Sequence, residues 1–268
     1  MEGRIKRKKS EGTKLPLLGK IKVGIKGEKY PKSLDYFVAD GKYANVFDDI
    51  FGKEPKSIPI VFISDDIRTS CNERYECRDN KGRLAGYGDG ENMYLYNGNT
   101  EEYEQVDKET KDGKDALKEA GKWETILTIK FVIPQIKTVF GMWQFTTKGQ
   151  KSSIPAIRDT FDAVLETAGT VKNIPFDLQV QKVKSQRPDS KSLFPVVTLI
   201  PNISKDNLYH LANYLQAGND IKQLGQINNS VVENLMIEHL EENQDEIQEA
   251  IIVDKSNIEK SNEEDKDF

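Results

Sequence analysis

Arg4, Lys6, Arg7, Lys8 and Lys9 crowd the start of this chain, and Lys20, Lys22 and Lys26 follow, two and then four residues apart. Tyr94 and Tyr96 stand two residues apart, as do Trp143 and Phe145. Clustered cations neutralise phosphates and release the counterions condensed on them. Aromatic rings at period two lie on one side of a strand, where unstacked bases can rest on their faces. Together these are the residue types of a groove for single-stranded DNA. The competing reading puts the rings in the core, and it applies most directly to Trp143 and Phe145, which sit in a well-formed apolar strand. Tyr94 and Tyr96 sit in a polar hairpin, which favours exposure.

Catalytic sets are harder to assemble. The two histidines, His210 and His239, both fall on predicted helices late in the chain, and no Ser-His-Asp or Cys-His set can be assembled with either one near the core. No Gly-rich loop is followed by Lys-Ser or Lys-Thr. Gly86-Tyr87-Gly88-Asp89-Gly90 is glycine-rich but opens no helix, so it reads as a hairpin rather than a nucleotide cradle. Asp65, Asp66, Asp89 and Glu91 are the acids that could hold a divalent ion in a metal-dependent hydrolase, the lesser alternative here. Cys71 and Cys77, with five residues between them, lack zinc-knuckle spacing and have no histidines beside them, although they could pair in an oxidising compartment. The expectation is a protein that is not an enzyme and needs no cofactor.

The charge is segregated along the chain. Of 268 residues, 37% are hydrophobic and 31% charged, and the net charge is −5. Met1–Lys32 carries eleven Lys or Arg against three acids, whereas Glu233–Phe268 carries thirteen acids against three lysines. An overall acidic balance thus hides a basic arm and an acidic tail. No apolar run is long enough for a transmembrane helix, and no apolar segment follows the charged N-terminus. A cytoplasmic protein with reduced thiols is expected, in the host cell if a phage encodes it.

The elements that must position these residues follow from periodicity. Gly19–Ile25 alternates, with Ile21, Val23 and Ile25 on one face and lysines on the other. Ser33–Ala39 reads as a second strand, Tyr43–Phe51 as a short helix and Ser57–Ile63 as a buried strand broken early by Pro59. Arg74–Tyr96 reads as a meander. Asn97–Gly121 reads as a polar excursion with one helical turn near Asp115–Ala120. Trp123–Ile133 and Gly141–Thr147 are the strongest strands. Pro155–Ala168 is a helix with Ser153 as cap, an apolar stripe through Ile157, Phe161, Val164 and Leu165, and Gly169 as its stop. Pro175–Lys184 and Leu193–Ile200 are two more strands. Two amphipathic helices then follow, one capped by Ser204 and reaching Leu215, the other spanning Ser230–Ile252. Their apolar faces could dock on a partner or simply pack.

This order predicts an α+β, mostly β protein. Its core would be an OB-like, partly closed antiparallel barrel with one packed helix, with a sandwich as the alternative. Residues 1–14 would be a disordered basic arm, 15–202 the core, 203–253 a helical appendage and 254–268 a disordered acidic tail.

The last residues carry a separate signal. Glu263, Glu264, Asp265 and Asp267 precede Phe268, an apolar side chain with a free carboxylate in a polar setting. This end resembles the tips of bacterial and phage single-stranded-DNA-binding proteins. That resemblance implies a tail that recruits replication or recombination proteins and competes with DNA for the basic groove.

Two stretches of the core resemble the phage recombination directionality factor-like family. One is Gly19-Lys20-Ile21-Lys22-Val23-Gly24, followed by Leu34-Asp35-Tyr36-Phe37 and Phe51-Gly52-Lys53-Glu54-Pro55; the other is Gly141-Met142-Trp143-Gln144-Phe145-Thr146-Thr147 before the helix at Pro155. The similarity spans roughly residues 15–200 and brings no catalytic motif. It implies a phage or integrative-element protein that acts on DNA transactions. One form of that role is binding a large serine integrase and switching it from integration to excision. The partners expected are therefore single-stranded DNA, recombination or replication proteins, and a serine integrase, without a membrane.

Overall fold

The computed structural model describes residues 15–27, 30, 32–185 and 192–216. The basic cluster Arg4, Lys6, Arg7, Lys8 and Lys9, the expected helix at Ser230–Ile252 and the acidic end through Glu263, Glu264, Asp265, Asp267 and Phe268 lie outside the described residues. Residues up to Ala212 form one compact unit.

The chain is mostly β. Strands β1 (Leu17–Ile25) and β2 (Lys32–Asp40) are followed by helix α1 (Ala44–Phe51), strand β3 (Ser57–Val61) and the short helix α2 (Ile67–Ser70). A meander comes next: β4 (Cys71–Arg78), β5 (Leu84–Gly88), β6 (Met93–Asn97) and β7 (Glu102–Val106). After α3 (Lys111–Glu119) come β8 (Trp123–Phe131), β9 (Met142–Thr147), α4 (Ser153–Ala168), β10 (Pro175–Lys184), β11 (Leu193–Pro201) and α5 (Lys205–Gln216). Eight strands form one sheet in the order β2-β1-β9-β8-β4-β5-β6-β7, and three form another, β11-β10-β3.

The α+β, mostly β class and the packed helix stand as expected. The large sheet is not closed, since β2 and β7 are its two ends. Backbone bonds and ion pairs tie the small sheet to it. Val61, at the end of β3, exchanges both backbone hydrogen bonds with Val132, just past β8, at 3.0 and 2.9 Å. On the far side the Phe37 N–H in β2 donates to the Pro55 carbonyl at 2.8 Å. Asp35, also in β2, pairs with Lys56 at 3.6 Å and with Lys182 of β10 at 3.4 Å. One pair departs from the antiparallel pattern: β1 runs parallel to β9, with Lys20 beside Gln144 and Ile21 beside Phe145.

One core joins the two sheets. Period two sends Ile21 of β1, Leu127, Ile129 and Phe131 of β8, and Trp143 and Phe145 of β9 to the same side. They meet Phe47 of α1, Ile58 and Ile60 of β3, Phe176 and Leu178 of β10, and the α4 stripe of Ile157, Phe161 and Val164. Phe62 packs edge-on to both Phe161 and Phe176, with ring centres 4.9 and 5.4 Å apart. Ile203, Leu208 and Leu211 pack on the same core, so the start of α5 belongs to this unit.

Several local expectations need correction. Pro59 does not break β3, because β3 is the edge of the small sheet, where a missing N–H is tolerated. Ser152, not Ser153, stands at the N-cap of α4. Ser153 is buried, and its hydroxyl accepts from the Val197 N–H at 2.9 Å, tying α4 to β11. The polar excursion holds a strand, β7, and a helix, α3, where one turn was expected. The glycine-rich run is the β5–β6 hairpin. A Cβ on Gly86 would lie 2.7 Å from Leu95 and from the Trp123 ring, so the close packing of β5 demands glycine there.

Candidate nucleic-acid interface

The face of the large sheet opposite the core is polar. In β4, Asn72, Arg74, Glu76 and Arg78 alternate onto it while Cys71 and Cys77 point to the other side. Register carries this face across the sheet. Asn72 lies opposite Thr128 of β8, Thr128 opposite Thr146 of β9, and Lys130 opposite Gln144, which lies beside Lys20 of β1. These residues, with Lys22 and with Arg68 and Thr69 of α2, line a trough of about 560 Å³. Six cations surround it: Lys20, Lys22, Arg68, Arg74, Arg78 and Lys130.

The cations are held differently. Lys22 is ion-paired with Asp40 of β2. Arg74 and Arg78 grip Glu76 between them, at 2.7 and 2.6 Å. Lys20, Arg68 and Lys130 have no ion-pair partner among the described residues. Burial works against ionisation of Glu76, but the two guanidiniums outweigh it and hold its carboxyl below the ordinary glutamate range. A carboxylate so gripped stays charged, and the two arginines stay fixed.

Beyond the trough, the same face turns aromatic. Glu76 lies opposite Tyr87 of β5, Tyr87 opposite Tyr94 of β6, and Tyr96 opposite Tyr103 of β7. Tyr87 and Tyr94 stack, with centres 5.1 Å apart and planes 18° apart. Tyr103 meets Tyr87 and Tyr96 edge-on, at 5.1 and 5.4 Å. The Arg74 guanidinium lies 5.0 Å from the Tyr87 ring centre, joining the aromatic ladder to the cations. Tyr96 and Tyr103 keep 48% and 37% of their surface exposed, enough to receive a further ring. From β1 to β7 this face crosses seven strands, roughly 30 Å at ordinary strand spacing.

Of the expected DNA-binding residues described here, Lys20, Lys22, Tyr94 and Tyr96 share this face. Lys26 lies past the end of β1 and does not line the trough. A register shift between Lys22 and Gly24 interrupts the alternation that would have carried it there. Trp143 and Phe145 are corrected outright. Both are buried, at 0% and 1% exposure, on the core side of β9, and a ring packed against Phe47 and Phe37 has no free face for a base. Sequence reasoning missed Arg68, Arg74, Arg78, Lys130, Tyr87 and Tyr103. The alternation Arg74-Glu76-Arg78 was the available signal for three of the trough positions.

The other candidates do structural work. Asp65 accepts from the Thr170 hydroxyl and the Val171 N–H, both at 2.8 Å, and pairs with Lys172 at 3.2 Å. Burial opposes its charge, but these donors win and hold its carboxyl below the ordinary aspartate range. Asp66 caps α2 through the Arg68 N–H. Asp89 accepts from the Glu91 and Asn92 N–H groups inside a hairpin turn. Among the described residues no three His, Cys, Asp or Glu gather as a metal set. Cys71 and Cys77 are buried and free on one strand, six residues and so about 20 Å apart, too far to pair. No helix among the described residues is long and apolar enough to cross a membrane.

Residues 18–202 match the Gp3-like family, described as recombination directionality factor-like. No curated protein and no solved structure matches the chain.

Proposed function

The chain belongs to the recombination directionality factor-like family, and on that premise we propose that it serves DNA recombination in a phage or other mobile element by holding a single DNA strand on the polar face of its large sheet. The observation that carries this reading is the column Arg74–Tyr87–Tyr94 abutting a six-cation trough. Cations beside stacked rings suit a strand whose phosphates and bases are both accessible, whereas a duplex hides its base faces. The role is binding, with no chemical step of its own. The acidic end with Phe268 recruits partner proteins in this reading, and its removal leaves DNA affinity unchanged or raises it.

The test is fluorescence anisotropy of a labelled single-stranded oligonucleotide at two salt concentrations, with duplex as competitor. Binding that salt weakens and duplex does not displace is the expected result. No binding at low salt would overturn it.

The family match favours a second reading, in which the protein docks on a serine integrase and shifts it toward excision. It predicts a stable complex with the integrase and a changed ratio of excised to integrated product. An unchanged ratio would remove it.

A further inference from the structure

Glu76 poses a problem for a phosphate-binding trough. It is an acid at the centre of a cationic surface, where it weakens the field that attracts an anion. Its side chain is only 6% exposed, so it does not act as a surface charge. Its geometry gives it another use. Arg74 turns Nε and Nη2 to Oε1, at 3.0 and 2.7 Å, which points the edge of the guanidinium down at the carboxylate. Arg78 donates from Nη2 to Oε2 at 2.6 Å and from Nη1 to the Gly82 carbonyl at 3.0 Å. The Nε–Nη2 edge of Arg74 and one N–H on each Nη of Arg78 are thereby engaged, so both guanidiniums are held in place and keep only part of their donors for a phosphate. Held this way, the Arg74 guanidinium lies over the Tyr87 ring.

We infer that Glu76 is a positioning residue that ties down Arg78 and holds the Arg74 guanidinium over Tyr87, and so divides the interface into a phosphate-reading part and a base-reading part. Lys20, Arg68 and Lys130 read the backbone over β1, β8 and α2. The Arg74–Tyr87–Tyr94 column reads base faces over β4, β5 and β6. The ligand class is then a single strand whose bases turn toward the tyrosines, and the affinity depends on the bases being present. This inference rests on the strand-binding reading above.

The experiment compares the full-length wild-type chain with Glu76→Gln and Arg74→Lys. Two labelled oligonucleotides of equal length are used, one of thymidines and one abasic, across a salt series. The wild type is expected to prefer the thymidine strand by roughly tenfold or more, the scale of one stacked base. In Glu76→Gln that preference falls about three- to tenfold. The slope of log K against log salt steepens by about 0.7 to 1.4 as one or two freed guanidiniums turn to phosphate. Arg74→Lys keeps the charge and loses the plane, so its preference falls while its slope stays as in the wild type. A Glu76→Gln chain that keeps both the preference and the slope would overturn the inference. If that variant does not fold, Arg74→Lys decides, and an unchanged preference there overturns it equally. A wild type that binds neither strand overturns the strand-binding reading itself, a distinct outcome. A wild type that binds both strands alike leaves strand binding standing and overturns the division of labour.

Discussion

The indole of Trp143 stands where a side chain on Gly19 would be: a Cβ at position 19 would lie 2.7 Å from Cζ3 of the ring and 2.8 Å from the Asp40 carbonyl oxygen. Neither neighbour is the loose end of a flexible chain, since the ring is buried and the oxygen belongs to the β2 backbone. Gly19→Ala should therefore overpack the β2–β1–β9 junction and cost about 1–3 kcal/mol. Urea unfolding would show this as a lower midpoint at constant slope.

Tyr94 and Trp143 should separate binding from folding. Tyr94→Ala removes a stacked ring from the polar face and is expected to weaken oligonucleotide binding by about 1–3 kcal/mol, with a small effect on stability. Trp143→Ala empties a core position and should cost about 3–5 kcal/mol of folding free energy. Paired anisotropy and denaturation measurements on the two variants check this, and a Tyr94→Ala chain with full affinity would contradict it.

Arg68 and Lys130 have no acidic partner among the described residues, so each is expected to contact phosphate directly. Arg68→Ala and Lys130→Ala should each flatten the salt dependence of strand binding by about 0.7 in log–log slope. Melting temperatures should stay near that of the wild type, because neither charge makes an ion pair among the described residues.

Burial, reinforced by the nearby carboxylates of Asp162 and Glu73, pushes the Cys71 thiol up to about 12, and Cys77 is pushed up by burial as well. Cys77 also donates to the Ala120 carbonyl at 3.0 Å. The thiolate is the reactive form. Neither cysteine should react with iodoacetamide at neutral pH in the native protein, and both should react after unfolding. Mass spectrometry of the alkylated chain reads the result.

Asp65 ties the segment after β3 to residues 170–172. Its carboxyl sits below the ordinary aspartate range when folded, so its contribution is present above the unfolded value and is lost as pH falls through the folded one. Asp65→Asn should destabilise by about 1–3 kcal/mol at neutral pH. The gap to the wild type should close in acid below the ordinary aspartate range. A gap that is constant with pH would show that the charge has no part in it.

Much of the fold was legible because its strands are half-buried and alternate. Gly19–Ile25 and Trp123–Ile133 declared both their type and their two faces. Which face turned inward was less legible for Met142–Thr147. Alternation there set Trp143 and Phe145 apart from Gln144 and Thr146 but could not say that the aromatic side met α1 and β2, since the pairing with β1 is nonlocal. Glu102–Val106 was invisible as a strand for a different reason. Four of its five residues are exposed, so it carries no apolar period, and it is ordered by pairing with β6, where Tyr96 meets Tyr103. The candidate site was legible in part on the same grounds. Lys20 and Lys22 could be seen on one strand face. Their neighbours Lys130 and Arg74 come from strands that only sheet order brings alongside.

The parallel pairing of β1 with β9 also imposes an order on the making of the molecule. Leu17 pairs with Met142, so β1 waits for a strand synthesised more than a hundred residues later. Until then β1 has only β2 beside it, and the edge that will receive β9 stands open. Closing so long a loop costs chain entropy before the contacts that reward it can form. Ile21 and Phe37 cannot be sealed from water until Trp143 and Phe145 arrive. A nascent chain stopped short of Thr147 thus has sheet without a finished interior, and the core closes only after β9, α4 and β10 have followed.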